Sequence, residues 1–129
     1  MATRLTPKAI KLIEGKNFGF LASIMRDGSP HVTPLWVDRE GDMVLVNTSV
    51  GQTAQGNIKR DPRVSIVIVD HDNPYDRVII LGRVKAQSQE GAEEHIDKLA
   101  KKYTGANKYQ RSSPTEKRIT IKIEPTRIL

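Results

Sequence analysis

Asn47, Thr48 and Ser49, then Gly51, then Gln52 and Thr53 gather hydroxyls, amides and free backbone N–H groups where a strand candidate gives way to a short helix. The first donors of a helix have no intrahelical partners and its dipole favours negative charge, so this junction is a candidate anion site. Asn57 lies further along the same helix, expected over Gln52 to Arg60. Upstream, His31, Thr33, Pro34, Leu35 and Trp36 share a strand candidate, His31 to Val37, with the only tryptophan of the chain. An indole can flank a planar ring as well as fill a core. Tyr75, in the loop Asn73-Pro74-Tyr75, is a further candidate for the same pocket. Read as ordinary structure, the Asn-Thr-Ser run is a turn, Tyr75 anchors its loop and Trp36 is core.

Other chemistries are absent from the pattern. There is no Ser/His/Asp triad, paired-carboxylate or P-loop arrangement. Without cysteine, disulfides, thiolate-ligated zinc and iron–sulfur centres are excluded. His31, His71 and His95 have no metal-ligand spacing, so no metal site is expected. No catalytic role is assigned to His31, and His95 reads as a solvated or capping residue.

The elements that must position these residues are mostly strands. Thr6-Pro7 opens a helix that Gly15 can end, with Leu5, Ala9, Leu12 and Ile13 on one face. Phe18 to Met25, His31 to Val37 and Met43 to Thr48 read as three strands joined by short turns, a meander. Val64 to Val69 is apolar on both faces, as in a doubly covered strand. Arg77 to Ala86 is a strand with a bend or bulge at Gly82, Gly91 to Tyr103 a helix, and Arg118 to Glu124 a closing strand with Ile119, Ile121 and Ile123 inward. Six strands with small helices in one domain spanning residues 1–129 predict a small, mostly β barrel.

Charge is unevenly placed. Residues 1–97 carry 12 Lys/Arg against 13 Asp/Glu, and residues 98–129 carry 9 against 2, so the net +6 sits in the last quarter. That asymmetry suits an anion-binding surface or, equally, a solvated helix face. No recognition helix or aromatic stacking motif accompanies it, which argues against nucleic acid. No apolar run approaches the ~20 residues of a membrane span, and the N-terminus lacks the apolar core of a secretion signal. A cytoplasmic, soluble protein is expected.

The order of motifs GSPHVTPLWVD, GDMVLVNTSVG, NIKRDPRVSIVIVD, DNPY, LGRV and HIDKLAKKYTG resembles the split β-barrel superfamily of flavin-binding proteins. That superfamily includes pyridoxamine 5′-phosphate oxidase, and within it the chain is most similar to small deazaflavin-dependent reductases. The resemblance implies a homodimer of six-stranded split barrels with FMN or the deazaflavin coenzyme F420 at the subunit interface. It also implies hydride transfer to a small-molecule electron acceptor. The ring would pack along His31 to Trp36, and the phosphate would sit near Asn47 to Asn57. The loop around Tyr75 would contribute, from the same subunit or the other. Such chemistry needs no obvious acid or base, because the cofactor carries it.

The chain departs from that pattern at the helix start, where arginine and lysine are usual and Gln52 and Ala54 stand instead. Two charge-assisted phosphate bonds, each worth about 1.5–3 kcal/mol, are missing. The resemblance therefore leaves two functional readings, an oxidoreductase and a non-catalytic binder of a cofactor or another planar ligand.

Overall fold

One strand of the expected six is divided. A computed structural model describes residues 2–129, and in it the segment His31 to Val37 becomes β2 (Pro30–Leu35) and β3 (Val37–Glu40), with Trp36 between them. β2 pairs antiparallel with β1 (Gly19–Ile24), whereas β3 pairs antiparallel with β4 (Met43–Ser49). With β5 (Arg63–Val69), β6 (Arg77–Ser88) and β7 (Arg118–Ile128) they form one antiparallel sheet in the order β2-β1-β5-β6-β7-β4-β3. The two edge strands are neighbours in the chain, one residue apart. The sheet must therefore curl until its edges meet at Trp36, which makes it a split β-barrel. The expected meander is correspondingly two hairpins, β1–β2 and β3–β4, that part after the break.

Backbone groups at such a break lose their ladder partners and must find others. Here α3 (Ala92–Thr104) supplies them: Val37 N–H donates to the Tyr103 hydroxyl at 3.1 Å, and Lys102 Nζ donates to the Val37 carbonyl at 3.0 Å. The helix lies one residue later than its expected bounds, between Gly91 and Gly105, which both take left-handed backbone angles.

α1 (Pro7–Glu14) packs one face onto the barrel core, with Thr6 accepting from Ala9 N–H as its cap and Ala9, Leu12 and Ile13 buried. These pack with Leu21, Val37, Val46, Ile66, Ile80, Ile121 and Ile123. α2 (Thr53–Arg60) begins one residue after the expected Gln52, which is its N-cap residue but makes no side-chain cap bond. β7 runs four residues beyond the expected Glu124. A bulge between Leu81 and Gly82 brings Gly82 opposite the buried Pro125. A Cβ at Gly82 would stand 2.6 Å from the Glu124 carbonyl oxygen, so only glycine allows this approach.

β5 is covered on one face, not two: Val64, Ile66 and Ile68 are buried, while Ser65, Val67 and Val69 are half-buried. The register continues this outer face into one apolar row, Pro34–Phe20–Val67–Ile79, beside a second, Val32–Ala22–Ser65–Leu81, that is apolar except at Ser65.

Candidate functional site

The cleft follows from where the pairing stops. β3 accompanies β4 only to the pair Val37–Val46, and beyond it Asn47, Thr48 and Ser49 have β7 as their only strand neighbour. β2 on the other side pairs only with β1. Between them opens a cavity of about 290 Å³. Thr33, Pro34, Leu35 and Trp36 line it from one side, and Asn47 and Thr48 from the other. Ala54 of α2, Ile96 of α3, Arg118 of β7 and Tyr109 of the α3–β7 loop complete the wall.

Trp36 is held by aromatic packing. Its ring stacks on Tyr103 at 5.2 Å and 6°, Tyr103 stacks on Phe18 at 6.0 Å, and Tyr109 meets Trp36 edge-on at 6.0 Å. The Tyr103 hydroxyl also donates to the Asn17 carbonyl at 2.7 Å, which fixes the stack to the barrel.

The polar wall is a chain of fixed contacts. Arg118 Nε donates to Asn47 Oδ1 at 2.9 Å, and its Nη1 donates to Ser49 Oγ at 2.8 Å and Glu116 Oε2 at 2.9 Å. Asn47 Nδ2 donates to the Ala92 carbonyl at 2.9 Å and to His95 Nδ1 at 3.2 Å. That assignment leaves the imidazole proton on Nε2, which donates to Asp38 Oδ2 at 3.1 Å. Burial works to raise the Asp38 pKa, but His95, the Arg39 N–H and Lys98 outweigh it and hold the carboxyl well below its usual range. Backing by so many contacts fixes the orientation of Asn47 toward the cleft.

A family model described as pyridoxamine 5′-phosphate oxidase matches residues 5–129. The chain belongs to the pyridoxamine 5′-phosphate oxidase family. Among solved structures it is similar to an F420 reductase, with a TM-score of 0.79 and 26% identity over 92% of this chain and 94% of that one. It also shares its fold with conserved hypothetical protein Rv2991 from Mycobacterium tuberculosis, with a TM-score of 0.72 and 24% identity over 98% of this chain and 84% of that one.

Measured against the sequence expectations, this pyridoxamine 5′-phosphate oxidase-type barrel brings six candidates to one cleft: Thr33, Pro34, Leu35, Trp36, Asn47 and Thr48. Ser49 stands behind them with its hydroxyl engaged by Arg118. Gln52 lies with Ser49 in a shallower neighbouring pocket beside Ser112, Ser113 and Thr115. Thr53 is exposed at the first position of α2. Asn57 is buried and pins α2 to β1, donating to Ser23 Oγ at 3.1 Å with Met25 Sδ at 3.3 Å. His31 shares the inward face of β2, and its Nδ1 is buried without a partner. Tyr75 is 84% exposed in the β5–β6 loop.

Sequence reasoning missed Arg118 and Tyr109. Arg118 opens a strand on the face of Thr120 and Lys122, opposite the inward isoleucines, and an arginine there reads as solvated. Only the fold reveals that α3 and the following loop cover that face. The basic last quarter is also less free than its sequence suggests. Arg111 is paired with Glu93 and Asp97, and Lys102 turns inward to the carbonyls of Ile13 and Val37.

Lys102 carries a pH dependence that can be measured. Burial pushes its pKa down to about 8 from 10.5, despite Asp38 and Glu14 nearby. Between those values the unfolded chain holds the proton that the folded chain has lost, so stability rises with pH across the window. Burial also pushes Tyr103 up to about 12 from 10.0, so above pH 10 the folded state holds the extra proton and stability falls. Urea midpoints should show Lys102→Met losing the rise between pH 8 and 10 while keeping the fall above it. Parallel curves for the two proteins would assign the rise elsewhere.

Proposed function

We propose that this protein is a homodimeric oxidoreductase that holds FMN or deazaflavin F420 in the cleft between β2 and β4 and passes hydride to a small organic acceptor. The observation that carries this reading is the opening of the barrel wall beside Trp36, in a family member similar to an F420 reductase over 92% of its length. The residues present fit a planar ring. Trp36 and the wall Thr33–Leu35 would flank it, and strand edges without ladder partners on both sides offer donors and acceptors to its rim. His31, whose buried Nδ1 has no partner among the described residues, lies further along the same face of β2 and does not line the cleft. For a phosphate, Thr48 and the first-turn amides of α2 are available, because that turn has neither an acidic residue nor a side-chain cap.

When bound, such a cofactor supplies the hydride chemistry. The protein's own part is to orient the ring, exclude water with Tyr109 and Leu35, and hold Arg118 and Asn47 rigidly against the ring's edge. The apolar outer face of β2, β1, β5 and β6 supports a dimer, because no helix among the described residues covers it. A second reading, a non-catalytic carrier, is favoured by Gln52 and Ala54, which leave the phosphate without the usual cations.

Titration with FMN and with F420 tests the proposal. Trp36 fluorescence should be quenched and the ligand's absorbance band shifted, at one site per subunit. Reduction of quinones or enones by the loaded protein would select the oxidoreductase, and binding without turnover would select the carrier. No spectral change with either ligand would overturn both.

A further inference from the structure

Arg118 is the only charged residue on the cleft wall among the described residues. It is 7% exposed, and its guanidinium is immobilised: Nε on Asn47, Nη1 on Ser49 and Glu116, and the Tyr109 ring 4.8 Å away over one face. A guanidinium carries five N–H donors in a rigid plane. Nη2 makes no hydrogen bond to any described residue and is not sealed from solvent, so it is the open end of an otherwise saturated group.

Its charge is balanced where it sits. The Ser112 hydroxyl and N–H, together with Arg118, outweigh burial and hold the Glu116 carboxyl below its ordinary pKa, so the pair is ionised and sums to zero. A ligand oxygen meeting Nη2 gains a charge-assisted hydrogen bond. An anionic group there would also meet the field of Glu116, 2.9 Å from Nη1. A neutral carbonyl escapes most of that repulsion and keeps the bond.

We propose that Arg118 Nη2 is the recognition donor of the cleft and selects an uncharged planar ring with a carbonyl oxygen at its edge over the same ring carrying an anionic group there. The inference rests on the reading of the cleft as a planar-ring site, which it shares with the proposed function, but it does not require that ring to be a flavin.

Three tricycles that share one ring skeleton and differ at C9 test it, read by quenching of Trp36: 9-fluorenone, fluorene and fluorene-9-carboxylate. The wild-type protein should bind fluorenone about ten- to a hundredfold more tightly than fluorene, as one charge-assisted hydrogen bond implies, and should bind the carboxylate no more tightly than the ketone. Glu116→Gln unbalances Arg118, so it should tighten the carboxylate about tenfold and leave fluorenone within about threefold. Arg118→Met alone would strip Glu116 of its counter-charge, leaving a carboxylate held only by Ser112, so it is paired with Glu116→Met, which removes both charges. That double variant should bind fluorenone and fluorene alike.

Equal binding of ketone and hydrocarbon by the wild type, or no binding of either, would overturn the inference. So would a ketone preference that survives in the double variant, or a Glu116→Gln protein with no gain for the carboxylate. The flavin reading is judged separately by the FMN and F420 titrations. Ketone selectivity without flavin binding would sink that reading alone, and flavin binding without ketone selectivity would sink this one alone.

Discussion

Val67→Glu should turn the proposed dimer into a monomer at micromolar concentration while leaving its β-sheet signature intact. Val67 lies at the centre of the uncovered outer face, between Phe20 on β1 and Ile79 on β6, with Pro34 at the end of the row. Phe20 is 37% exposed and Val32 60% in the single chain, an arrangement that suits an apolar interface better than a water-facing surface. A two-fold contact places the same patch on both subunits, so one substitution puts two carboxylates into the interface. Burying or opposing charges in this way costs several kcal/mol. At tenfold per 1.4 kcal/mol, the dissociation constant should rise about a thousandfold or more. In the monomer the new side chain turns to water, so the fold should hold. Sedimentation and circular dichroism of the two proteins decide the matter: a variant that stays dimeric would move the interface elsewhere on the barrel.

The same strands show what can be read from the sequence and what cannot. Alternation located β7 because Ile119, Ile121 and Ile123 face one core. It could not foresee that β7 continues through Pro125, since a proline normally ends a strand and the Gly82 bulge that accommodates it lies 43 positions away. The break at Trp36 was invisible for a related reason. His31 to Val37 reads as continuous because every residue in it tolerates a strand. What divides it is the pairing of its halves with opposite sheet edges, and the Tyr103 and Lys102 side chains that satisfy Val37. The β2 and β4 residues of the cleft were found because strand, turn and helix start are local signals. Arg118 and Tyr109 were not, because their place depends on α3 and a loop folding back over β4 and β7. Local chemistry was legible in the residues, and the covering of one element by another was not.

On the proposed function, Ala54→Lys should raise FMN affinity about 10- to 150-fold. Ala54 lines the cleft and is 5% exposed, at the second position of a helix whose N-cap residue offers no side-chain bond. The family resemblance expects a cation there. On the proposed function, the phosphate of FMN is held only by neutral groups, the Thr48 hydroxyl and the first-turn amides of α2. A lysine at 54 would run its stem along the cleft and bring an ammonium to those groups, adding one charge-assisted bond of about 1.5–3 kcal/mol. Lysine nearly matches alanine in helix propensity, so α2 itself should persist. Ala54 is buried, however, and the added stem must find room by facing the cavity, so the unliganded variant should be somewhat less stable than the wild type. FMN should reverse that loss, because a ligand stabilises the state it binds. Riboflavin, which has the same ring and no phosphate, serves as the control and should gain nothing. Titrations of both ligands at one fixed salt concentration, with the dimer verified, give the answer. A gain for FMN alone assigns the phosphate to the start of α2. If neither ligand gains, the phosphate does not sit there, and the cleft has been turned to a ligand without one.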